Sequence, residues 1–89
     1  MKTCYCVYII KGKDGSFYTG FTSNIQLRLL KHNGLRLGGA KYTKTRRPWN
    51  LVFLEKGLSR SRACQREYEI KQMTRAGKEI LVKSTSLLY

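Results

Sequence analysis

Two tyrosines near the amino terminus have a spacing that would let their hydroxyl groups act on one substrate. Tyr8 and Tyr18 lie in successive apolar runs, and the turn-forming pair Asp14-Gly15 lies between them. If the runs pair as a hairpin, the two phenols can share a sheet face, although the sequence does not fix the register. Gly20 removes a side chain where another group can approach the backbone. A phenol can hold or transfer a proton, so the pair is a candidate for acid–base chemistry.

An arginine and a histidine follow at the spacing of one helical turn. Asn24 and the two residues before it form a helix-start signal, because a Ser or Asn side chain can cap free backbone amides. The pattern predicts a helix over residues 24–33 that stops at Gly34. Arg28 and His32 are an i, i+4 pair on this helix, so their heads should lie together beside the core.

A glutamate on the second long predicted helix lies on the face expected to be buried. At about 100° per residue, Ala63 and Ile70 belong to the apolar stripe, and Glu67 falls inside it. Glu69 falls on the opposite, solvent side. A buried carboxylate is costly unless it is paired or binds a metal. Two explanations stay open: an ion pair with Lys or Arg, or a hard divalent cation that completes its shell with water and phosphate oxygens.

Each of the other residues also has an ordinary structural explanation. Tyr8 and Tyr18 can be half-buried sheet aromatics with solvated hydroxyls. Arg28 can be a surface cation, and His32 can be a partner of the helix dipole. The combination of two phenols, an Arg/His pair and one inward carboxylate in a basic chain is what favours chemistry.

The charge of the chain indicates a polyanionic partner. Among 89 residues, 18 Lys and Arg face 5 Asp and Glu, which gives a formal net charge of +13. Such an excess repels itself in the compact state, and nucleic acid is the first candidate to neutralise it. A membrane is disfavoured, because we find no long basic amphipathic helix. The apolar runs are too short to cross a bilayer and no signal peptide is recognisable, so we expect a cytoplasmic protein.

The segment from Leu35 to Pro48 is predicted to be a basic loop. Its cations lie beside aromatic residues, a combination that suits a nucleic-acid strand through phosphate contacts and stacking. For Tyr42 and Trp49, a place in the core is an equally good explanation. The residues predicted to contact nucleic acid are Lys31, Lys41, Tyr42, Lys44, Arg46 and Arg47.

The strands that must position these residues are marked by three apolar runs. They are predicted at about residues 4–10, 17–21 and 50–56. Both faces of the first run are apolar, so it should be the central strand.

Helices follow the third strand and complete a single domain. Ser59 or Ser61 should cap a second long helix that runs to about residue 73, and Thr74 should cap a short third one. The predicted order is β-β-α-β-α-α. The fold class is α/β (α+β), a small three-stranded, mainly antiparallel sheet flanked by helices, in one domain over residues 1–89 with its core at about 4–81.

In this arrangement the chain resembles the GIY-YIG nuclease superfamily. Cys6-Val7-Tyr8 is similar to the first half of its signature, with Cys and Val in place of Gly and Ile, and Tyr18-Thr19-Gly20 is similar to the second half. The family's arginine, histidine and metal-binding glutamate fall on Arg28, His32 and Glu67. The resemblance covers nearly the whole chain. It is strongest to the small single-domain branch, similar to the nuclease domains of excision-repair endonucleases.

The resemblance implies a divalent-metal-dependent endonuclease that hydrolyses phosphodiester bonds in DNA, in repair or in processing of structured DNA. Glu67 would hold one Mg²⁺ or Mn²⁺, and Arg28 would neutralise the phosphate. Tyr8 would be the general base, with a pKa lowered by Arg28 and the metal. His32 would orient Tyr8 or relay its proton, and Tyr18 would position water or phosphate.

A non-catalytic nucleic-acid-binding module on the same scaffold is the alternative function. The basic surface alone would bind DNA or RNA, so binding does not separate the two functions. Cleavage that depends on Glu67 does separate them.

Overall fold

Residues 4–35 and 41–84 are described in the computed structural model of the protein, with the backbone alone at Lys41 and Tyr42. Within these ranges the elements are β1 (Tyr5–Lys11), β2 (Phe17–Thr22), α1 (Ile25–His32), α2 (Lys41–Lys44), β3 (Asn50–Leu58), α3 (Arg60–Lys71) and α4 (Arg75–Ser84). The predicted order β-β-α-β-α-α is confirmed, with α2 as one extra helical turn.

The sheet has the order β2-β1-β3, and both outer strands run antiparallel to β1. β1 is therefore central, as its two apolar faces predicted. Val7 and Ile9 face α3 and form one core cluster, whose other buried members are Phe53, Ala63 and Ile70. Tyr8 and Ile10 face the opposite side and form a second cluster with Trp49. The two clusters place every side chain of the middle of β1 in the core.

A tight turn joins β1 to β2 and sets the positions of the two tyrosines. The Ser16 backbone N–H donates to Asp14 Oδ1 at 3.0 Å inside this turn. The resulting register pairs Tyr8 with Gly20. Tyr18 lies two residues before Gly20, so Tyr8 and Tyr18 lie on the same face of the sheet, because side chains alternate along a strand.

The two ends of α1 are fixed by side chains of asparagine. Asn24 Oδ1 caps the first turn by accepting from a backbone N–H at 3.1 Å. At the other end, Asn33 Oδ1 accepts from the Trp49 N–H at 2.6 Å, and Asn33 Nδ2 donates to the Trp49 carbonyl at 3.1 Å. Arg47 Nε also donates to the His32 carbonyl at 2.7 Å. The end of α1 is therefore tied to the residues that lead into β3.

The prediction of a loop from Leu35 to Pro48 is corrected by α2, while residues 36–40 lie outside the described ranges. A single four-residue turn leaves no periodicity from which a helix could be predicted. For Trp49 the core explanation is the right one: the side chain is 2% exposed, and its Nε1 donates to the Thr43 carbonyl at 2.8 Å. The indole therefore holds α2 against the body of the protein.

Two helices follow β3. Ser59, rather than Ser61, caps α3, because Ser59 Oγ accepts a backbone N–H of the first turn at 3.1 Å. Thr74 Oγ1 accepts a backbone N–H of the first turn of α4 at 3.1 Å, as predicted for a cap. α4 continues to Ser84 and, with 10 residues, is longer than the short helix that the sequence predicted. The helices in the described ranges lack the length and apolarity that a membrane crossing needs.

The cap of α3 gives a test of the fold with a matched control two residues away. Ser59→Ala removes the acceptor for an otherwise unpaired N–H, so we expect the free energy of unfolding to fall by about 1 kcal/mol. Ser61→Ala should change it by less than about 0.5 kcal/mol, because Ser61 lies within the exposed first turn of the helix. Urea denaturation followed by circular dichroism measures both. Equal losses in the two variants would contradict the assignment of the cap.

Candidate active site

The Tyr8 hydroxyl lies directly above Gly20. A Cβ added at Gly20 would lie 2.5 Å from Tyr8 Oη and 2.7 Å from Tyr8 Cζ, closer than real Cβ atoms approach. Gly20 thus gives the Tyr8 ring room to cross the neighbouring strand β2 and reach the edge of the sheet. The chain can fill this place with no residue larger than glycine unless the phenol moves.

A buried chain of hydrogen bonds starts at this hydroxyl. Tyr8 Oη lies 2.8 Å from His32 Nε2, and His32 Nδ1 lies 3.1 Å from Thr43 Oγ1. All three side chains are buried. A neutral imidazole has one donor nitrogen and one acceptor nitrogen, so His32 donates in one of these two hydrogen bonds and accepts in the other. If His32 Nδ1 donates to Thr43 Oγ1, Nε2 accepts from Tyr8, and if Nδ1 accepts from Thr43, Nε2 donates to Tyr8.

Thr43 is a functional candidate that the sequence did not reveal. It lies on α2, and its contact with His32 exists because Trp49 holds that short helix against α1. A threonine among lysines in a basic segment carries no local pattern that would mark such a contact. The role of Thr43 is visible only in the tertiary structure, where it contacts His32.

The electrostatics of His32 keep its imidazole neutral. Burial, followed by the positive charges of Arg28 and Arg47, lowers the pKa of His32 to about 4. At neutral pH the ring is therefore uncharged. It can accept a proton, but the resulting imidazolium is disfavoured until a negative charge enters the site.

The pKa of Tyr8 moves in the opposite direction from the expectation. Burial raises the pKa of Tyr8 to about 12, the Arg28 guanidinium opposes the rise by hydrogen bonding and charge, and Tyr18 and Glu67 add to it. Arg28 lowers the pKa of Tyr8 as predicted, but its effect is smaller than that of burial. Tyr8 is consequently protonated at neutral pH and hydrogen-bonded to His32.

Arg28 and Tyr18 complete the wall of the site around His32. Burial disfavours the Arg28 cation, but hydrogen bonds and charge interactions with Tyr8 and Tyr18 more than offset this and raise the pKa of Arg28. The Tyr18 ring centroid lies 5.0 Å from that of His32, and the Tyr8 ring lies 5.9 Å from it. The structure thus brings together the two phenols, the arginine and the histidine that the sequence singled out.

Glu67 is the least exposed of the five carboxylates of the chain. Its side chain is 20% exposed, and those of the other four are between 34% and 51% exposed. Its contact with a cation, 3.6 Å from Lys71 Nζ, is longer than the shortest contact of any other carboxylate. Glu67 also raises the pKa of Tyr8, so it is within electrostatic reach of that hydroxyl. Glu69 pairs instead with Arg62 and Arg66, on the solvent side as predicted.

The donors around Glu67 fit a hard cation that takes most of its ligands from solvent and substrate. Among the described residues no three His, Cys, Asp or Glu side chains come together as a metal cluster. Mg²⁺ is often held by one or two carboxylates while water and phosphate oxygens fill the other positions. A half-buried carboxylate with one long ion pair meets that requirement.

The residues predicted to contact nucleic acid differ in their exposure and in their contacts with the rest of the protein. Arg47 is committed to the His32 carbonyl, and Arg46 lies 3.4 Å from Asp14 in the hairpin turn. Lys44 is exposed on α2, and Lys31 is half-buried in the last turn of α1. The side chains of Lys41 and Tyr42 lie outside the described part of the structure. Arg46 and Arg47 thus have structural contacts in addition to their predicted role.

Comparisons with known proteins find a matching family model and relatives over most of the chain. A family model described as the GIY-YIG catalytic domain matches residues 4–80. A UPF0213 protein of Staphylococcus haemolyticus is 54% identical over 72 residues, which cover 81% of this chain and 85% of the relative. The solution structure of a UPF0213 protein from Bacillus halodurans has a TM-score of 0.60 and 41% identity, and covers 92% of this chain and 85% of its own. The solution structure of a protein from E. faecalis has a TM-score of 0.63 and 35% identity, and covers 99% of this chain and 95% of its own.

The close approach of Tyr8 to Gly20 predicts the effect of one added methyl group. Gly20→Ala should displace the phenol from His32 and lower the free energy of unfolding by about 1–3 kcal/mol, the usual cost of overpacking. Gly77→Ala on α4 is the control, because its Cβ would meet only Thr74 and Met73, at ordinary contact distances of 3.4 and 3.5 Å. Urea denaturation measures stability, and long-range ¹H–¹⁵N NMR of His32 reports the hydrogen bond. An unchanged imidazole spectrum in Gly20→Ala would contradict the proposed contact.

The lowered pKa of His32 predicts a pH dependence of stability. Between about pH 6.5 and 4 the unfolded state binds a proton at His32 and the folded state does not, so stability is complete above pH 6.5 and is lost as the pH falls. The contribution of His32 approaches a slope of about 1.4 kcal/mol per pH unit in that window. Denaturation of wild type and His32→Gln at several pH values isolates this slope.

A direct titration checks the same claim without a variant. His32 is the single histidine of the chain, so its imidazole NMR signals need no assignment by mutagenesis. A titration midpoint near 6.5 in the folded protein would refute the burial of a neutral ring.

Proposed function

The chain belongs to the GIY-YIG catalytic-domain family, and from this premise we propose that it is a divalent-metal-dependent endonuclease that hydrolyses phosphodiester bonds in DNA. The observation that carries the proposal is the Tyr8–His32 hydrogen bond, buried beside Arg28 and within electrostatic reach of Glu67. An acid–base pair, a fixed cation and a carboxylate that can hold a metal are groups that can together catalyse hydrolysis of a phosphodiester.

Tyr8 acts as the general base through His32. At neutral pH Tyr8 holds its proton and His32 is neutral, so the phenol donates to Nε2 when Nδ1 donates to Thr43. As the attacking water loses a proton to Tyr8 Oη, Tyr8 passes its own proton to His32. Water thereby gains nucleophilicity without a free phenolate, which the raised pKa of Tyr8 makes rare.

The substrate itself would make this proton transfer easier. A phosphodiester brings a negative charge into a site where Arg28 and Arg47 disfavour the imidazolium. That charge offsets the two arginines and raises the proton affinity of His32 in the bound complex. The pair is therefore inactive as a base in the free protein and becomes one when substrate is bound.

Arg28 and Tyr18 orient the phosphate. The Arg28 guanidinium is held by both phenols, so its charge is fixed before substrate arrives, and fixed charges cost no reorganisation during the reaction. Tyr18 lies against His32 and can donate to a phosphate oxygen or to the attacking water.

Glu67 would hold the Mg²⁺ or Mn²⁺, which supplies charge to the phosphate and favours departure of the 3′-oxygen. Lys71 balances the Glu67 charge at 3.6 Å when no cation is bound, and its flexible stem can move aside.

We take DNA as the substrate class, in repair or processing of structured DNA in the cytoplasm. Support comes from the family and from the net charge of +13, which favours any polyanion. Lys31, Lys41, Tyr42, Lys44, Arg46 and Arg47 would contact the backbone of the substrate. RNA is the competing polyanion, and the assay below includes it.

Two glutamates on one helix give a matched test of catalysis. Glu67→Gln should reduce Mg²⁺- or Mn²⁺-dependent nicking of plasmid, flap and junction DNA by at least about 100-fold, because the cation loses its carboxylate ligand. Glu69→Gln should keep wild-type cleavage, since Glu69 pairs with Arg62 and Arg66 on the solvent side. Binding of the same DNA, measured in EDTA, should stay intact in both variants.

Three outcomes would contradict the proposal. Equal loss in the two variants would point to a general effect of charge on α3, and equal cutting would remove Glu67 from the mechanism. Binding of every substrate without cutting by wild type would leave the non-catalytic module. A parallel set of RNA substrates decides the class of nucleic acid.

A further inference from the structure

A cavity lies next to the candidate catalytic residues and has no role in the proposed proton transfer or metal binding. It has a volume of about 380 Å³ and lies where the start of β2 meets α3 and α4. Its lining residues are Phe17, Tyr18, Thr19, Lys71 and Lys78. Cavities that bind small ligands usually measure about 300–1,000 Å³, so this one has room for one small unit such as a nucleotide.

The charge of the cavity is positive. Two of its five lining residues are lysines, and none is acidic. Arg75 lies nearby, with its guanidinium carbon 3.8 Å from the centroid of the Phe17 ring, but its charge is balanced by Glu79 at 3.1 Å. An anion is the ligand that such a lining attracts.

Thr19 provides a polar group whose hydrogen-bonding capacity is not met by the described residues. The residue is 4% exposed, and its Oγ1 is buried without a hydrogen-bond partner there. A buried hydroxyl without a partner is costly, and few such groups occur in a folded protein. Rotation of the Thr19 side chain toward the cavity that this residue lines would let a ligand oxygen accept the hydrogen bond that the hydroxyl can donate.

Two of the lining residues connect the cavity to the candidate catalytic groups. Tyr18 belongs to the wall around His32, and Lys71 Nζ lies 3.6 Å from Glu67 Oε2. A strand of nucleic acid whose reacting phosphate lies between Arg28 and Glu67 would therefore place an adjacent nucleotide at this cavity.

We propose that the cavity is a subsite for the nucleotide adjacent to the cleaved bond. Lys71 and Lys78 hold its phosphate, Thr19 donates a hydrogen bond to a phosphate oxygen, and the sugar or base packs against Phe17. The assignment of the position relative to the cleaved bond rests on the proposed nuclease function. The capacity to bind a nucleotide does not.

The test uses deoxyadenosine 5′-monophosphate as the probe, in EDTA and at low salt, with ¹H–¹⁵N NMR of the full chain. The nucleotide should shift the amide signals of Thr19 and Lys78 saturably, and deoxyadenosine should bind at least about tenfold more weakly. Lys78→Gln should weaken nucleotide binding about tenfold, because one charged contact is lost. Lys83→Gln on the same helix removes the same charge away from the cavity and should bind as wild type does.

Thr19→Val separates binding from folding. The hydroxyl has no partner among the described residues, so its loss should not lower the free energy of unfolding, yet nucleotide affinity should fall severalfold. Shifts that do not saturate, or equal weakening in Lys78→Gln and Lys83→Gln, would overturn the subsite.

Failure of the subsite and failure of the nuclease give different results. Nucleotide binding in EDTA needs neither metal nor cleavage, so it can succeed even if no substrate is cut. If wild type cuts DNA, Lys78→Gln should raise KM severalfold with kcat retained. An active nuclease whose KM is unchanged by Lys78→Gln would reject the subsite and leave the proposed function intact.

Discussion

The hydrogen bond between Tyr8 and His32 is the interaction on which the rest of the site depends. It joins two side chains that the fold removes from water almost completely. Loss of Tyr8 would leave the buried Nε2 of His32 without this partner, at a cost of about 1–3 kcal/mol. This makes the site a part of the core rather than an addition to the surface. Gly20 leaves room for the Tyr8 phenol, and Thr43 is the hydrogen-bond partner of the other imidazole nitrogen of His32. Both residues therefore help to keep the Tyr8–His32 hydrogen bond in the core.

The scarcity of acids gives each carboxylate an identifiable place. Arg66 contacts Glu55 on β3 and Glu69 on α3, both at 3.2 Å, and so joins the sheet to the helix. Asp14 and Glu79 are exposed and pair with Arg46 and Arg75, and an ion pair at an exposed position contributes little to stability. Glu67 differs from all of these in its low exposure and its long contact. Glu67 is for this reason the carboxylate that we propose as the ligand of the divalent cation.

The sequence predicted those features whose physical cause is local. A run that is apolar on both faces marked β1 as the central strand, Asp14-Gly15 marked the turn, and the projection of α3 separated Glu67 from Glu69. The family signature identified Arg28 and His32 as neighbours of the tyrosines. Effects that arise from tertiary contacts could not be predicted in this way.

Thr43 and the pKa of Tyr8 are examples of such tertiary effects. Thr43 contacts His32 because the Trp49 indole, through its hydrogen bond to the Thr43 carbonyl, holds α2 beside α1. No local sequence pattern predicts the contact between Thr43 and His32. The pKa of Tyr8 depends on how completely the ring is buried, and burial exceeds the effect of the charge on Arg28. The spacing of residues in the sequence predicts which side chains are neighbours. It does not predict how polar their environment is, and that polarity sets their pKa values.

The pairing of β1 with two strands of very different sequence separation has a consequence for folding. β1 meets β2 through a short turn, whereas β3 can pair with it only after the intervening residues 23–49 have been arranged. Local contacts lose little chain entropy and form early, and distant pairing is slower. We expect the hairpin and α1 to associate first, with Trp49 bringing Thr43 to His32 as β3 docks. Partly folded molecules would then carry the positive charge that attracts nucleic acid before they have the groups that could cut it.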